Sequence, residues 1–176
     1  AEEHNVLVVH SAGNNHLDID VNPYYPSDVN FEDGKEMVEN FVNVGSISKI
    51  LDNNFISKFS DYGKENVDVF APGDEIYTTN AVNKYTTNSG TSLAAPMVSG
   101  TAALIWLYYP TLTVQEVKHI ILESGTPYDI EVLVPGGNGK KAKFSELSKS
   151  GKVLNVYNAM QMAKELSLQK KQIIKY

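Results

Sequence analysis

The serine of Gly90-Thr91-Ser92-Leu93 is the residue whose type and position most directly suggest chemistry. It stands between a glycine and a run of small residues that predicts the start of a helix. A serine hydroxyl is a poor nucleophile unless a base takes its proton. Acyl transfer at Ser92 would therefore need a base, an orienting carboxylate and hydrogen-bond donors aimed at the developing oxyanion. A helix N-terminus supplies part of this, because its free N–H groups and its dipole favour negative charge.

Small residues flank Ser92 on both sides. Gly90 removes a side chain where a substrate backbone would approach. Ala94 and Ala95 allow the helix to lie close to its neighbours. A serine after Gly-Thr is far more often an ordinary helix cap, however. The spacing alone therefore leaves both interpretations open.

Three apolar runs predict buried strands around this serine, at 6–9, 41–45 and 67–71. The stretch from Thr91 to Tyr109 predicts a helix with apolar or small residues on every face, which we expect to be buried all round. Pro96 falls near its first turn, where a missing N–H costs little. Buried strands that alternate with helices predict an α/β fold with a parallel sheet and flanking helices.

The remaining elements are predicted with less detail. Thr113-Val-Gln-Glu116 is a capping box in front of a second helix, whose inward face carries Val114, Val117, Ile120 and Ile121. A last helix follows residues 153–156, with Met160, Ala163 and Leu166 inward. The other expectations are a hairpin at 76–78 and 84–87, an irregular segment at 17–40, a loop at 135–151 and a frayed tail at 170–176.

Composition excludes several classes of function. Fifteen basic and twenty-one acidic side chains give a formal charge of −6, which argues against a nucleic-acid partner. The absence of cysteine excludes disulfides and thiolate chemistry. The sequence contains no run of 18 apolar residues, so it predicts no membrane span. Its first residues do not form a signal peptide. We interpret Ala1 as an artificial or proteolytic start.

Several motifs, in the right order, resemble the subtilisin-like serine proteases. Gly90–Gly100 is similar to the nucleophile motif of that family, and Ser11-Ala12-Gly13-Asn14 is similar to its Ala-Ala-Gly-Asn segment. Residues 67–73 resemble the strand and turn before the serine, and residues 151–160 resemble the closing strand and helix. The resemblance covers most of the chain. It implies the C-terminal portion of a three-layer subtilisin-like catalytic domain over residues 1–169, with the N-terminal part of the fold missing.

The resemblance assigns roles residue by residue. It implies that Ser92 is the nucleophile and that Asn14 donates to the oxyanion, although an asparagine after a strand is more often a turn residue. It also implies that Ala12 and Gly13 form a wall of the specificity pocket. Gly90 and Thr91 would contact substrate, with Thr91 either a secondary donor or a helix cap. The implied substrate is a peptide or protein, and the implied location is secreted or in the cell envelope.

Half of the family's active site is missing from this sequence. The family places an aspartate and a histidine ahead of the Ala-Ala-Gly-Asn segment. None of the four histidines stands in the family's histidine motif, and we expect His10 to be a packing residue. The isolated chain is therefore predicted to be inactive, because triad members act as a unit. We expect its partner to be the missing N-terminal part of the same domain.

Other sites and functions find less support in the sequence. Asp18-Ile-Asp20 begins like a calcium loop, but Pro23 and Val29 break the EF-hand pattern. A structural calcium in this acidic segment stays open, and no cofactor is required. An α/β-hydrolase esterase would need glycine where Ala94 stands. A subtilase-like domain that binds peptides or proteins without catalysis is the main alternative to an endopeptidase.

Overall fold

The computed structural model describes residues 1–173, with the side chains of all of these except Glu2 and Ile173. Eleven strands and three helices follow one another along this part of the chain. The strands are β1 (Val8–Ser11), β2 (Val29–Asn30), β3 (Lys35–Glu36), β4 (Phe41–Ile47), β5 (Val69–Pro72), β6 (Ile76–Asn80), β7 (Lys84–Asn88), β8 (Thr126–Pro127), β9 (Glu131–Leu133), β10 (Lys141–Lys143) and β11 (Lys152–Val153). The helices are α1 (Thr91–Tyr108), α2 (Val114–Glu123) and α3 (Val156–Ile173).

A five-stranded sheet in the order β1-β4-β5-β11-β8 forms the centre of the fold. The first four strands are mutually parallel, and β8 pairs antiparallel with β11. β1 lies at one edge, where Val8 pairs with Phe41 and Ser11 with Val44. The predicted α/β fold with a parallel sheet and flanking helices is confirmed. β1 begins two residues later than the apolar run had indicated.

Apolar side chains cover both faces of the sheet. On one face, residues of β4 and β5 such as Val44 and Val69 pack with the buried residues of α1, α2 and α3. On the other face, Phe144 packs against Phe70 and Phe55, with ring centroids 5.3 Å and 5.4 Å away. Strand side chains alternate between faces, so neighbouring residues of β5 serve opposite layers.

Helix α1 differs from the expectation of burial on all sides. Its buried residues lie on the face toward the sheet and the other helices: Thr91, Ala94, Val98, Thr101, Ala102 and Ile105. On the opposite face Leu107 is 74% exposed and Tyr108 is 64% exposed. Nothing within residues 1–173 covers that face. By length and composition alone α1 could also cross a membrane, a property that core helices share.

The second and third helices follow the sequence closely. Thr113 is the N-cap of α2, and its side chain and that of Glu116 form the predicted capping box. The four predicted inward residues of α2 are buried. In α3, Ala163 is fully buried, and Met160 and Leu166 pack against the core beside it.

Three loop expectations need correction. The predicted irregular segment at 17–40 contains strands β2 and β3, which pair antiparallel. Helix α3 continues to Ile173, so residues 170–173 of the predicted tail are helical, and residues 174–176 lie outside the described part. Lys170 explains this, because its Nζ lies 2.8 Å from Oε2 of Glu116 and anchors the helix to α2.

The predicted loop at 135–151 contains strand β10, which pairs antiparallel with β9. The predicted hairpin is present as the antiparallel pair β6 and β7.

Candidate active site

The side chains of Asn14 and Ser92 face the same small volume at the carboxyl end of β1. A Cβ atom on Gly90 would lie 3.0 Å from Oγ of Ser92 and 3.7 Å from Nδ2 of Asn14. β1 delivers Asn14 to this point, and the N-terminus of α1 delivers Ser92. The space that Gly90 leaves free is therefore bounded by a hydroxyl and an amide donor.

Thr91 fixes the orientation of the Asn14 side chain. The backbone N–H of Thr91 donates to Oδ1 of Asn14 at 2.9 Å, and the Thr91 hydroxyl donates to the same oxygen at 3.0 Å. The hydroxyl also accepts from the N–H of Gly13 at 3.3 Å. Because Oδ1 is held by Thr91, the amide nitrogen is left to face the Ser92 hydroxyl.

The capping interpretation of Thr91 and Ser92 is wrong. The N-cap of α1 is Gly90, which has no side chain to cap the helix. Thr91 and Ser92 are the first two residues of the helix, and the Thr91 hydroxyl bonds to Asn14 and Gly13 instead. Ser92 is exposed, and its hydroxyl makes no hydrogen bond within residues 1–173. The hydroxyl is free to contact a bound molecule.

The walls of the site are built from close backbone contacts. Ala12 is fully buried, and its N–H donates to the carbonyl of Val44 at 2.9 Å. A Cβ on Gly73 would lie 2.7 Å from the carbonyl oxygen of Gly90, and the N–H of Gly90 donates to the carbonyl of Gly73 at 2.8 Å. The turn after β5 is thus packed directly on the start of α1, a contact the sequence did not reveal.

A cavity of about 470 Å³ lies among the residues that follow β4 and β5, and none of the candidate site residues lines it. Asp74 and Glu75 line it, and both are tied to Ser89: the Ser89 hydroxyl donates to Oδ1 of Asp74 at 2.6 Å and accepts from the N–H of Glu75 at 3.0 Å. Phe59 lines it as well, and its carbonyl accepts from the N–H of His16 at 3.0 Å. The cavity is large enough for a side chain.

None of the four histidines is a base for Ser92 in the described part of the chain. His10 packs between the rings of Tyr24 and Phe41, with Nδ1 3.3 Å from Oδ1 of Asn43, as expected for a packing residue. His4, His16 and His119 are exposed. The hydroxyl of Ser92 has no hydrogen-bond partner among them.

A polar chain crosses the sheet from His10 to α2. Asn43 of β4 contacts His10, and its backbone N–H donates to Oδ2 of Asp68 at 2.7 Å. Nζ of Lys118 lies 3.9 Å from Oδ1 of Asp68. Burial raises the pKa of Asp68 to about 6, although the charge of Lys118 and the N–H of Asn43 oppose that rise.

The acidic segment around Asp18 does not offer calcium a cluster of ligands. Asp20 uses its carboxylate to accept from the N–H groups of Glu65 and Asn66, and Asp18 accepts from the N–H of Asp20. Within residues 1–173 no group of three or more histidine or acidic side chains is placed to hold a metal ion. A structural calcium in this segment stays a prediction from the sequence.

The fold and this site together define an α/β domain in which a free serine heads a helix packed on a parallel sheet, with an asparagine amide facing it. The chain belongs to the subtilase family of serine proteases, because residues 1–151 match the family model described as "Subtilase family".

Individual relatives agree with the family assignment. The chain is 37% identical to Subtilisin-like protease 2 of Plasmodium falciparum over 100 residues, which are 57% of this chain and 7% of that protein. It is 43% identical to Subtilisin DY of Bacillus licheniformis over 70 residues, which are 40% of this chain and 25% of that protein. The chain thus aligns with a quarter or less of these relatives.

Solved structures show the same fold. The A-subunit of the AB5 toxin from E. coli superposes with a TM-score of 0.64 at 26% identity, over 89% of this chain and 50% of that chain. A structure of subtilase cytotoxin SubAB assembly superposes with a TM-score of 0.67 at 24% identity, over 92% of this chain and 50% of that chain, and supports the fold alone. This chain spans about half of each.

Proposed function

We propose that this chain is the C-terminal part of a subtilisin-like endopeptidase catalytic domain, in which Ser92 attacks the peptide carbonyl and Asn14 stabilises the oxyanion. The observation that carries the proposal is that Nδ2 of Asn14 and Oγ of Ser92 both lie within 3.7 Å of the position that a Cβ on Gly90 would take. A carbonyl carbon held at Ser92 would direct its oxygen toward the Asn14 amide.

In the proposed reaction this chain supplies the nucleophile Ser92 and the oxyanion donor Asn14, and the base lies outside it. Attack by Ser92 forms a bond from Oγ to the carbonyl carbon, and the hydroxyl proton must pass to a histidine. The oxyanion is then stabilised by the Asn14 amide and the unpaired N–H of Ser92 at the helix N-terminus. Gly90 leaves room for the substrate backbone beside both groups.

The missing aspartate and histidine would come from a segment that covers the exposed edge of β1 and the exposed face of α1. β1 is an edge strand of the sheet. Beside it a groove of about 180 Å³ lies between β1 and α1, lined by Leu7, Val9, Ser99, Ala102, Ala103 and Trp106. Without that segment Ser92 has no base, so the 176-residue chain alone is expected to be inactive.

Export of the protein is part of the proposal and rests on relatives. A proteinase of Thermus sp. named as extracellular is 42% identical to this chain over 73 residues. The absence of cysteine is compatible with either compartment. Detection of the protein outside the cell or in the envelope fraction supports this part, and purely cytosolic fractionation would overturn it.

Fluorophosphonate labelling tests the proposal. The natural polypeptide that carries this sequence should label at Ser92, and the label should be lost in Ser92→Ala. Ser145→Ala is the control, because Ser145 is an exposed serine outside both the candidate site and the groove between β1 and α1. The 176-residue chain alone should not label. A natural polypeptide that binds peptides but never labels would favour a non-catalytic subtilase-like domain.

A further inference from the structure

A fully buried carboxylate, Asp61, holds the loop that carries Asn14. Oδ1 of Asp61 accepts from the N–H groups of Asn15 and Leu17, each at 2.8 Å, and Oδ2 accepts from Nδ2 of Asn15 at 3.4 Å. Asp61 is 0% exposed. Within residues 1–173 the hydrogen bonds to its carboxylate all come from backbone and amide donors of Asn15 and Leu17.

The contacts of Asp61 lie on both sides of Asn14 along the chain. On one side the N–H of Asp61 donates to the carbonyl of Gly13 at 2.9 Å. A Cβ on Gly13 would lie 2.1 Å from Oδ2 of Asp61, so the carboxylate fills the space beside that glycine. On the other side Asp61 holds Asn15. The residues on both sides of Asn14, Gly13 and Asn15, are therefore hydrogen-bonded to Asp61.

We propose that Asp61 is a positioning residue that sets the place of the Asn14 amide relative to Ser92. The proposal rests on the proposed function insofar as Asn14 serves as the oxyanion donor. Thr91 fixes the rotation of the Asn14 side chain from helix α1, and Asp61 holds the backbone on both sides of Asn14 from the loop between β4 and β5. Oxyanion donors act within a few tenths of an ångström of their required positions, which demands rigid support of this kind.

The position requires a carboxylate and not merely a polar side chain of the same shape. A carboxylate only accepts hydrogen bonds, and Asp61 meets three donors. An asparagine at 61 would keep one oxygen but present its NH₂ group to a second donor. Oδ1 would still accept from the N–H groups of Asn15 and Leu17, but as a neutral acceptor, whose hydrogen bonds are about half as strong as those of a charged one. Nδ2 of Asn15 would lose its acceptor.

Amide hydrogen exchange in the natural polypeptide that carries this sequence tests the geometry without any need for catalysis. In Asp61→Asn the N–H groups of Asn15 and Leu17 should exchange about 10- to 100-fold faster. The N–H of Thr91 should also exchange faster, because its acceptor is Oδ1 of Asn14. Asp68→Asn is the matched control. The Asp68 carboxylate accepts from the N–H of Asn43, so this variant should accelerate exchange at Asn43 and leave the exchange rate of Thr91 unchanged.

A second variant keeps the test decisive if Asp61→Asn does not fold. Asp61→Ser keeps one acceptor oxygen on a shorter side chain, so the same three amides should lose protection together. If Asn15 and Leu17 lose protection in either folded variant while Thr91 keeps its own, Asp61 supports the loop without positioning Asn14. That outcome overturns the proposal.

A double-mutant cycle in the natural polypeptide separates positioning from general stability. Asp61→Asn alone should slow fluorophosphonate labelling of Ser92 about tenfold or more and lower kcat with little change in KM. In an Asn14→Ala background the same substitution should have no further effect, because its action passes through Asn14. Equal losses in both backgrounds would overturn the proposal. If the wild-type polypeptide never labels, the proposed function fails, and hydrogen exchange alone decides the role of Asp61.

Discussion

The backbone N–H of Thr91 donates to Oδ1 of Asn14 at 2.9 Å, so the residue before the candidate nucleophile holds the candidate oxyanion donor. The same threonine bonds through its hydroxyl to Asn14 and to the N–H of Gly13. Nucleophile and oxyanion donor are thereby coupled mechanically: a shift of the helix N-terminus moves both together.

The first prediction concerns this coupling. Thr91→Val removes the hydroxyl from a fully buried position and leaves the N–H of Gly13 without its acceptor. We expect a loss of about 1–3 kcal/mol in the free energy of unfolding, measured by urea denaturation. Labelling of the natural polypeptide should also slow. Thr91→Ser, which keeps the hydroxyl, should retain most of the labelling rate; equal losses in both variants would show that the hydroxyl is not what matters.

The second prediction concerns the full loss of the Asn14 amide. Asn14→Ala in the natural polypeptide should lower turnover about 100- to 1,000-fold with KM little changed, a magnitude established for a member of this same family and carried over here. Asn22→Ala is the control, since Asn22 is an exposed asparagine of the following loop whose side chain bonds only to the carbonyl of Asp18. A change in KM alone would indicate that Asn14 binds substrate without stabilising the oxyanion.

The third prediction concerns the pH dependence of stability. Burial raises the pKa of Asp68 from its ordinary value of 3.8 to about 6. The folded state therefore favours the neutral carboxyl, and the stability gained in this way is fully present below about pH 4 and lost as the pH rises through about 6. In Asp68→Asn, urea unfolding should show that the stability advantage of wild type over the variant falls by up to about 3 kcal/mol between pH 4 and 7.

A matched surface aspartate controls for general effects of charge removal. Asp33 is exposed and pairs with Lys35 on the surface, where an ion pair contributes little. Asp33→Asn should leave the pH profile of wild type almost unchanged. Parallel profiles for wild type and Asp68→Asn would contradict the raised pKa.

The sequence indicated the candidate site more directly than the contacts that support it. Ser92 and Asn14 each belong to a motif that is contiguous in the chain. The strands and helices around them are indicated by apolar runs and by the Thr113 capping box. The bonds of Asp61 to Asn15 and of Thr91 to Asn14 join residues 46 and 77 positions apart. No local pattern specifies such partners, because they depend on how the elements pack.

Two errors have the same physical origin. The apolar composition of α1 suggested burial on all sides, but composition does not say which neighbours are present to cover each face. The polar tail at 170–176 suggested fraying, but Nζ of Lys170 donates to the carbonyl of Thr111, just before α2, and to Oε2 of Glu116 in α2. In both cases tertiary contacts decided the outcome, and local propensity was only a weak guide.

The fourth prediction concerns the capping box of α2. Thr113→Ala removes the oxygen that accepts from the N–H of Glu116 at 3.2 Å and should cost about 1 kcal/mol in the free energy of unfolding. The return bond, from the N–H of Thr113 to Oε2 of Glu116, remains and limits the loss. Thr111→Ala, at an exposed threonine two residues earlier, should cost less than 0.5 kcal/mol, about the range of surface substitutions. Equal losses would indicate that the helix start does not depend on the Thr113 side chain.

The last prediction concerns the uncovered edge of the sheet. β1 has no strand on its outer side within residues 1–173, and the adjoining groove against α1 is apolar. Exposed sheet edges and apolar patches promote pairing with other chains, so the isolated 176-residue chain should self-associate. Ala103→Glu places a charge in the groove and should shift sedimentation toward the monomer. Leu168→Glu, at an exposed leucine of α3 away from the groove lining, should not. A wild-type chain that sediments as a monomer at all concentrations would show that the edge of β1 does not pair with other chains.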